Sequence, residues 1–287
     1  MSVASKARTA NGSERKVLRL VRGQETSDGA GVSLKRIIGG QALPQLDPFL
    51  LFDEFGSDDP SAYIAGFPDH PHRGFETVTY MLDGLMRHRD NKGNEGVIGP
   101  GAVQWMTAGS GLIHSEMPQQ EEGLMRGFQL WVNLPAKDKM SKPRYQEIPA
   151  ERFIEAKPAP GVTLKVIAGT AGGVSGPVTD IAVDPVYLDL RLDPGAAHAI
   201  DLPAEHHAFA YVFDGAAQIA GTEVKKGHLA LLDRGDHVSV TAGPAGAALV
   251  IIAGRPIGES IARYGPFVMN TREEIEQAFR DYQAGRF

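Results

Sequence analysis

Nine histidines occur in 287 residues, and three of them fall in two short segments built alike. His70-Pro71-His72 sets two imidazoles two residues apart, and His114-Ser115-Glu116 sets an imidazole and a carboxylate at the same spacing. On an extended chain such residues project to one face. Pro71 cannot continue a helix and holds His70 extended; a glycine-rich turn, Gly109-Ser110-Gly111, precedes the second pair and Pro118 follows it. Alone, His70 and His72 would read as readily as two loop histidines, but the second pair shifts the reading to a metal site. Three neutral imidazoles and one carboxylate suit a divalent transition ion such as iron, manganese, nickel, copper or zinc, and leave two positions of an octahedral ion open.

The elements that must carry these pairs are strands. Short β-rich runs recur, among them residues 17–21, 33–38, 77–82, 104–107, 127–133, 163–168, 186–192, 208–213 and 249–253, separated by turn clusters such as Asp83-Gly84, Gly99-Pro100-Gly101 and Asp193-Pro194-Gly195. With 34 glycines and 19 prolines, these two residues make up roughly 18% of the chain against about 12% on average. That pattern predicts an all-β sandwich or barrel rather than a parallel α/β sheet. A polar stretch bounded by Pro135 and Pro143 marks a domain linker. A weak internal echo, with residues 76–84 aligning on 207–215 and both ending in Asp-Gly, suggests two related halves. One helix is predicted over residues 271–284: Thr271 and Glu274 form a capping box, and Ile275, Ala278, Phe279 and Tyr282 share one face for packing.

Composition narrows the function. The absence of cysteine removes disulfides, thiol nucleophiles and thiolate metal sites. A net charge of −6 argues against direct nucleic-acid binding. The longest apolar run, residues 247–253, is far too short for a membrane helix. Residues 1–16 are polar, lack the apolar block of a secretory signal and read as a disordered tail. A cytoplasmic monomer is expected. No Gly-x-Ser-x-Gly or phosphate-binding Gly-x4-Gly-Lys is present, and His114 stands where a dinucleotide fingerprint after Gly109-x-Gly111 would need its third glycine.

Several motifs carry a family resemblance. His70-Pro-His-Arg-Gly-Phe-Glu-Thr-Val-Thr-Tyr80, Gln104-Trp-Met-Thr-Ala-Gly109, Ile113-His-Ser-Glu-Met-Pro118 and Phe128-Gln-Leu-Trp-Val-Asn-Leu-Pro135 follow one another in order. Pro48-Phe-Leu-Leu-Phe-Asp-Glu-Phe55 lies upstream and Tyr264-Gly-Pro-Phe-Val-Met-Asn-Thr271 downstream. Over residues 17–287 the chain resembles the pirin family of the cupin superfamily. The resemblance implies a bicupin: two antiparallel β-barrel (jelly-roll) domains, an N-terminal one at 17–142 with the metal and a C-terminal one at 143–287 without it, ending in the helix. It implies His70, His72, His114 and Glu116 as ligands of one ion, usually iron. Glu76, which stands where many cupins place a ligating glutamate, becomes a structural or supporting acid.

In the C-terminal half, Asp201 and Pro203 stand in the places of His70 and His72, and adjacent His206 and His207 would face opposite sides of a strand. His88, His198, His228 and His237 read as ordinary polar or core residues, with His88 beside a hairpin that could edge the pocket mouth. The resemblance implies one of two functions. The first is a dioxygenase cleaving flavonols such as quercetin with release of carbon monoxide, Glu116 accepting the substrate proton. The second is a regulatory protein whose metal redox state governs binding to a transcription factor or metabolic enzyme.

Overall fold

The computed structural model describes residues 12–287. Every ladder between its named strands is antiparallel, and among the described residues one α-helix, Arg272–Gln283, lies near the end of the chain. The N-terminal unit is a sandwich. A seven-stranded sheet runs in the order Arg144–Ile148, Val103–Thr107, Phe75–Asp83, Met125–Asn133, Phe49–Ser57, Val32–Ile38 and Gln24–Asp28. Facing it is a four-stranded sheet of Phe67–His72, Leu112–Pro118, Met86–Asp90 and Glu95–Ile98. Leu34, Phe55 and Met81 of the first sheet pack on Met86 and Ile98 of the second.

The C-terminal unit is one nine-stranded sheet that folds over itself, because the long strands His207–Ile219 and His237–Gly254 each pair with several neighbours along their length. Its interior is filled by aliphatic side chains, including Leu188, Leu190, Ala210, Val212, Leu249 and Ile251. The two-cupin architecture expected from the sequence is therefore present, but the barrels are not closed by backbone hydrogen bonds. Beside the edge strands Glu95–Ile98 and Arg144–Ile148, Nε2 of His88 lies 2.7 Å from Oε1 of Glu147.

The two units join through the largest core, in which sheet packs on sheet. Period-two alternation explains it. Val78 and Tyr80, Phe128, Leu130 and Val132, and Phe52 turn outward from the N-terminal sandwich to meet Tyr187, Phe209, Tyr211, Phe213 and Val250 of the other unit. Phe52 stacks on Phe128 at 5.4 Å and meets Tyr211 edge-on at 5.5 Å, contacts of about 0.5–1.5 kcal/mol each beyond area burial. The sequence echo has a physical counterpart here. Tyr80 and Tyr211, aligned in the two repeats, cross the interface in opposite directions, Tyr80 donating to Asp189 at 2.6 Å and Tyr211 to Glu54 at 2.5 Å.

Two strands pair across the expected domain limits. Strand Arg144–Ile148 pairs with Val103–Thr107 and so extends the N-terminal sheet past residue 142. Strand Val17–Arg22 pairs with His228–Leu232 and belongs to the C-terminal sheet. Of the expected disordered tail, residues 1–11 lie outside the described residues, while residues 12–16 are laid against the C-terminal unit. Arg15 is wholly buried, its guanidinium donating to the carbonyls of Gly235, His206, Asp233 and Pro203 at 2.7–3.0 Å. No local pattern announces such a contact, because its partners stand about 190–220 residues away. Orphaning buried carbonyls is costly, so Arg15→Met is expected to lower unfolding free energy by roughly 2–4 kcal/mol. Urea denaturation checks this; an unchanged midpoint would show the strap to be dispensable.

Candidate metal site

The four-stranded sheet brings the three histidines together. His70 and His72 lie in Phe67–His72, which pairs with Leu112–Pro118 so that His114 stands opposite His70 and Leu112 opposite His72. The imidazole centroids are 4.4 Å apart for His70 and His114, 4.7 Å for His70 and His72 and 5.0 Å for His72 and His114. One ring nitrogen from each lies within 4.8 Å of the others.

Their electrostatics suit a cation. Nδ1 of His70 is 2.8 Å from the carbonyl of Pro68, which can only accept, so Nδ1 carries a hydrogen and Nε2 is the nitrogen left for a cation. His72 and His114 are buried, and neither Nδ1 of His72 nor either ring nitrogen of His114 has a hydrogen-bond partner. Burial first, and the neighbouring imidazoles second, push both rings well below the ordinary histidine value and keep them neutral. Unpartnered buried nitrogens are rare; three converging imidazoles, two of them neutral with unpartnered ring nitrogens, fit a transition ion.

Glu116 is buried and lines the same cavity but lies outside the close histidine group. A register shift after His114 puts Phe67, not Pro68, opposite it. Its Oε1 lies 2.9 Å from Oγ1 of Thr79, whose hydroxyl is also 2.7 Å from Oε1 of Gln129. Glu76 faces the other way, with Val78 and Tyr80. Its carboxylate accepts from the Trp105 indole at 3.0 Å and the Thr107 hydroxyl at 2.7 Å, and burial raises its pKa. It supports the sheet and points away from the histidines. His88 is fully buried beside Glu116 rather than at the pocket mouth, since strand Met86–Asp90 puts alternate residues inward. His206 and His207 diverge: His206 is buried 3.9 Å from Asp184, and Nδ1 of His207 donates to the Asp47 carbonyl at 2.6 Å.

The cavity is about 510 Å³, within the range for small-molecule sites. Leu34, Leu51, Phe55, Phe67 and Met86 supply apolar walls, and Thr79, Gln129 and Trp131 line it alongside His70 and His72. Thr79, Gln129 and Trp131 were legible only as strand residues; their alternation toward the site follows once Glu76 is known to face away.

The C-terminal segment supports this site from outside. Gly74, at φ +86°, lies so close to Val268 that a Cβ would stand 2.0 Å from its carbonyl oxygen. Arg73 donates to the Ser110 carbonyl at 2.6 Å and to Asp281 of the helix at 2.7 Å. Buried Lys139 donates to the carbonyls of Gly74 and Val268 and to Asn133.

Fold and site together define a two-domain cupin-type protein with a three-histidine cluster in its first domain. The pirin family profile matches residues 31–132, and that of the pirin C-terminal cupin domain matches residues 187–287. A pirin-like protein of Caulobacter vibrioides is 52% identical over 275 residues, covering 95% of this chain and 99% of the relative. Human pirin is 46% identical over 279 residues, covering 95% and 93%. The crystal structure of quercetin 2,3-dioxygenase from Acinetobacter baumannii superposes with a TM-score of 0.89 at 33% identity, covering 96% of this chain and 99% of that one. This chain belongs to the pirin family.

Two outcomes are expected. His72→Ala or His114→Ala reduces bound transition metal from about one ion per chain to a small fraction, whereas His207→Ala leaves it unchanged; elemental analysis reads both, and full retention in a His72→Ala/His114→Ala double variant would remove the assignment. Separately, burial lowers the Lys139 pKa from 10.5 to about 8. Between those values the unfolded chain holds a proton that the folded chain has released, so the Lys139 contribution to stability grows as pH rises. The stability gap between wild type and Lys139→Met should widen by up to about 3 kcal/mol from pH 8 to 10, as read by chemical denaturation. A gap independent of pH would refute it.

Proposed function

We propose that this chain is a metal-dependent dioxygenase that opens the central ring of flavonol-like substrates and releases carbon monoxide. The observation that carries this reading is the juxtaposition of three converging imidazoles with a buried carboxylate beside one cavity, which His70, His72 and Glu116 line. Its likeness to a structure named quercetin 2,3-dioxygenase adds support. His70, His72 and His114 would hold the ion, with Glu116 as fourth ligand. Iron is our first choice, with copper, nickel, manganese and zinc as alternatives. When bound, a divalent ion lowers the proton affinity of a substrate hydroxyl and offers open positions for substrate and dioxygen.

The side chains then handle the proton. With Glu116 ionised, Thr79 donates its one hydroxyl hydrogen to it at 2.9 Å. When Glu116 accepts the flavonol proton, it can donate to Thr79, which turns its hydrogen to Gln129 at 2.7 Å. The polar triad can thus hold the proton near the site without opening it to water. The apolar walls orient the ring system, and their burial strengthens these hydrogen bonds.

Glu116→Gln keeps an oxygen but neither charge nor base, so turnover per bound metal is expected to fall about 10²- to 10⁴-fold. Thr79→Val, which cannot pass the hydrogen on, should cost less, about tenfold, at unchanged metal content. Flavonol consumption and carbon monoxide release, normalised to metal, measure both. Unchanged turnover per metal in Glu116→Gln would dismiss it as the base. Absence of ring-cleaved product with every ion tried, together with redox-dependent capture of a defined protein partner, would replace catalysis by the regulatory reading.

A further inference from the structure

One wall of the cavity carries a cation that the proton-handling scheme does not use. Arg263 lies in the short strand Ala262–Tyr264, where the C-terminal segment returns to the N-terminal unit. Its guanidinium sits over the Trp131 ring, 4.8 Å from the centroid, and Nη1 donates to the Leu50 carbonyl at 3.1 Å. The same indole lies 5.3 Å from the His72 ring. Imidazole, indole and guanidinium therefore succeed one another along one wall.

The charge balance distinguishes Arg263 from the other arginine there. Arg36 grips Asp53 with two hydrogen bonds, at 3.0 and 2.8 Å, and reaches Asp28 at 2.8 Å. Its charge is already matched by those two carboxylates. Asp53 and Asp28 also attract Arg263, but neither forms an ion pair or hydrogen bond with it among the described residues, and the N–H groups it does not use on Leu50 are left to receive an oxyanion. A guanidinium held against an indole loses little further freedom on gripping such a group, and its planar fork suits a carboxylate or sulfonate. Leu34, Leu51, Phe55 and Phe67 offer apolar surface to the rest of the ligand.

We infer that Arg263 is a specificity-determining residue that takes an anionic oxygen group of an aromatic substrate, at the part of the molecule not placed at the histidines. The preferred substrate is accordingly a hydroxylated aromatic carrying a second, ionised acidic group. This rests on the reading that the cavity accepts planar aromatic oxygen compounds, but not on their cleavage.

Calorimetric titration of the metal-free and metal-loaded protein with quercetin, quercetin 5′-sulfonate and a naphthalene carboxylate tests it. Wild type is expected to bind the sulfonate about tenfold more tightly than quercetin, a preference that shrinks at high salt. Arg263→Gln should abolish the preference while leaving quercetin affinity nearly unchanged, and Arg263→Lys should retain part of it. Thermal melting confirms that both variants are folded. A wild-type protein without the preference, or an Arg263→Gln variant that keeps it, would overturn the inference even if quercetin is cleaved. If quercetin neither binds nor reacts, but the naphthalene carboxylate binds through Arg263, the flavonol reading falls and the role of Arg263 stands.

Discussion

Three imidazoles crowded to centroid distances of 4.4–5.0 Å, two of them buried, impose the demand that the rest of the N-terminal unit answers. With His72 and His114 buried and their nitrogens unpartnered, they are a poor arrangement for a folded chain unless something outweighs the lost hydration. A hairpin-sized pair of strands could not hold them there by itself. The pair is backed by ladders to Met86–Asp90 and Glu95–Ile98, and it is clamped from outside by Arg73 to the helix and by Lys139 to Val268. The C-terminal helix, which supplies no group to the cavity, thus fixes the chain beside His72. Its capping box and apolar face are part of the site's support.

The second domain solves a different problem. A sheet that devotes one face to a polar, ligand-accepting cavity must find apolar burial on the other. The C-terminal sheet supplies it, covering Phe52, Tyr80, Phe128 and Leu130. Its own interior is packed with aliphatic side chains. The two halves share a topology and exchange equivalent tyrosines across their interface, yet one interior holds a cavity and the other a core. Side chains of opposite character on the inward positions of similar strands suffice to make that difference.

Much of the site was legible in the sequence because its period is local. His70 and His72, and His114 and Glu116, are each two apart, and a strand must bring such neighbours to one face. The motif resemblance joined the two pairs. Glu76 was harder, since it shares a strand with Thr79 but lies three residues away and so on the opposite face; parity settles the matter once the interface is known. Arg15, Arg263 and the approach of His88 to Glu147 had no comparable signal. Each acts through tertiary contacts with distant segments, and a lone arginine carries no period. Barrel closure was equally illegible, because strands announce themselves locally while hydrogen bonding between sheet edges does not.

The alternation in Phe75–Asp83 links the two halves of the molecule mechanically. Val78 and Tyr80 are gripped by the second domain, and Thr79 between them faces Glu116. The same holds in Met125–Asn133, where Phe128 and Leu130 enter the interface while Gln129 reaches the Thr79 hydroxyl. A strand paired on both sides cannot shift one residue without its neighbours. Whatever fixes Tyr80 against Asp189 and Phe128 against Phe213 therefore also fixes the 2.7–2.9 Å contacts of Thr79. The second domain can in this way determine the geometry of a site to which its sheet contributes no ligand.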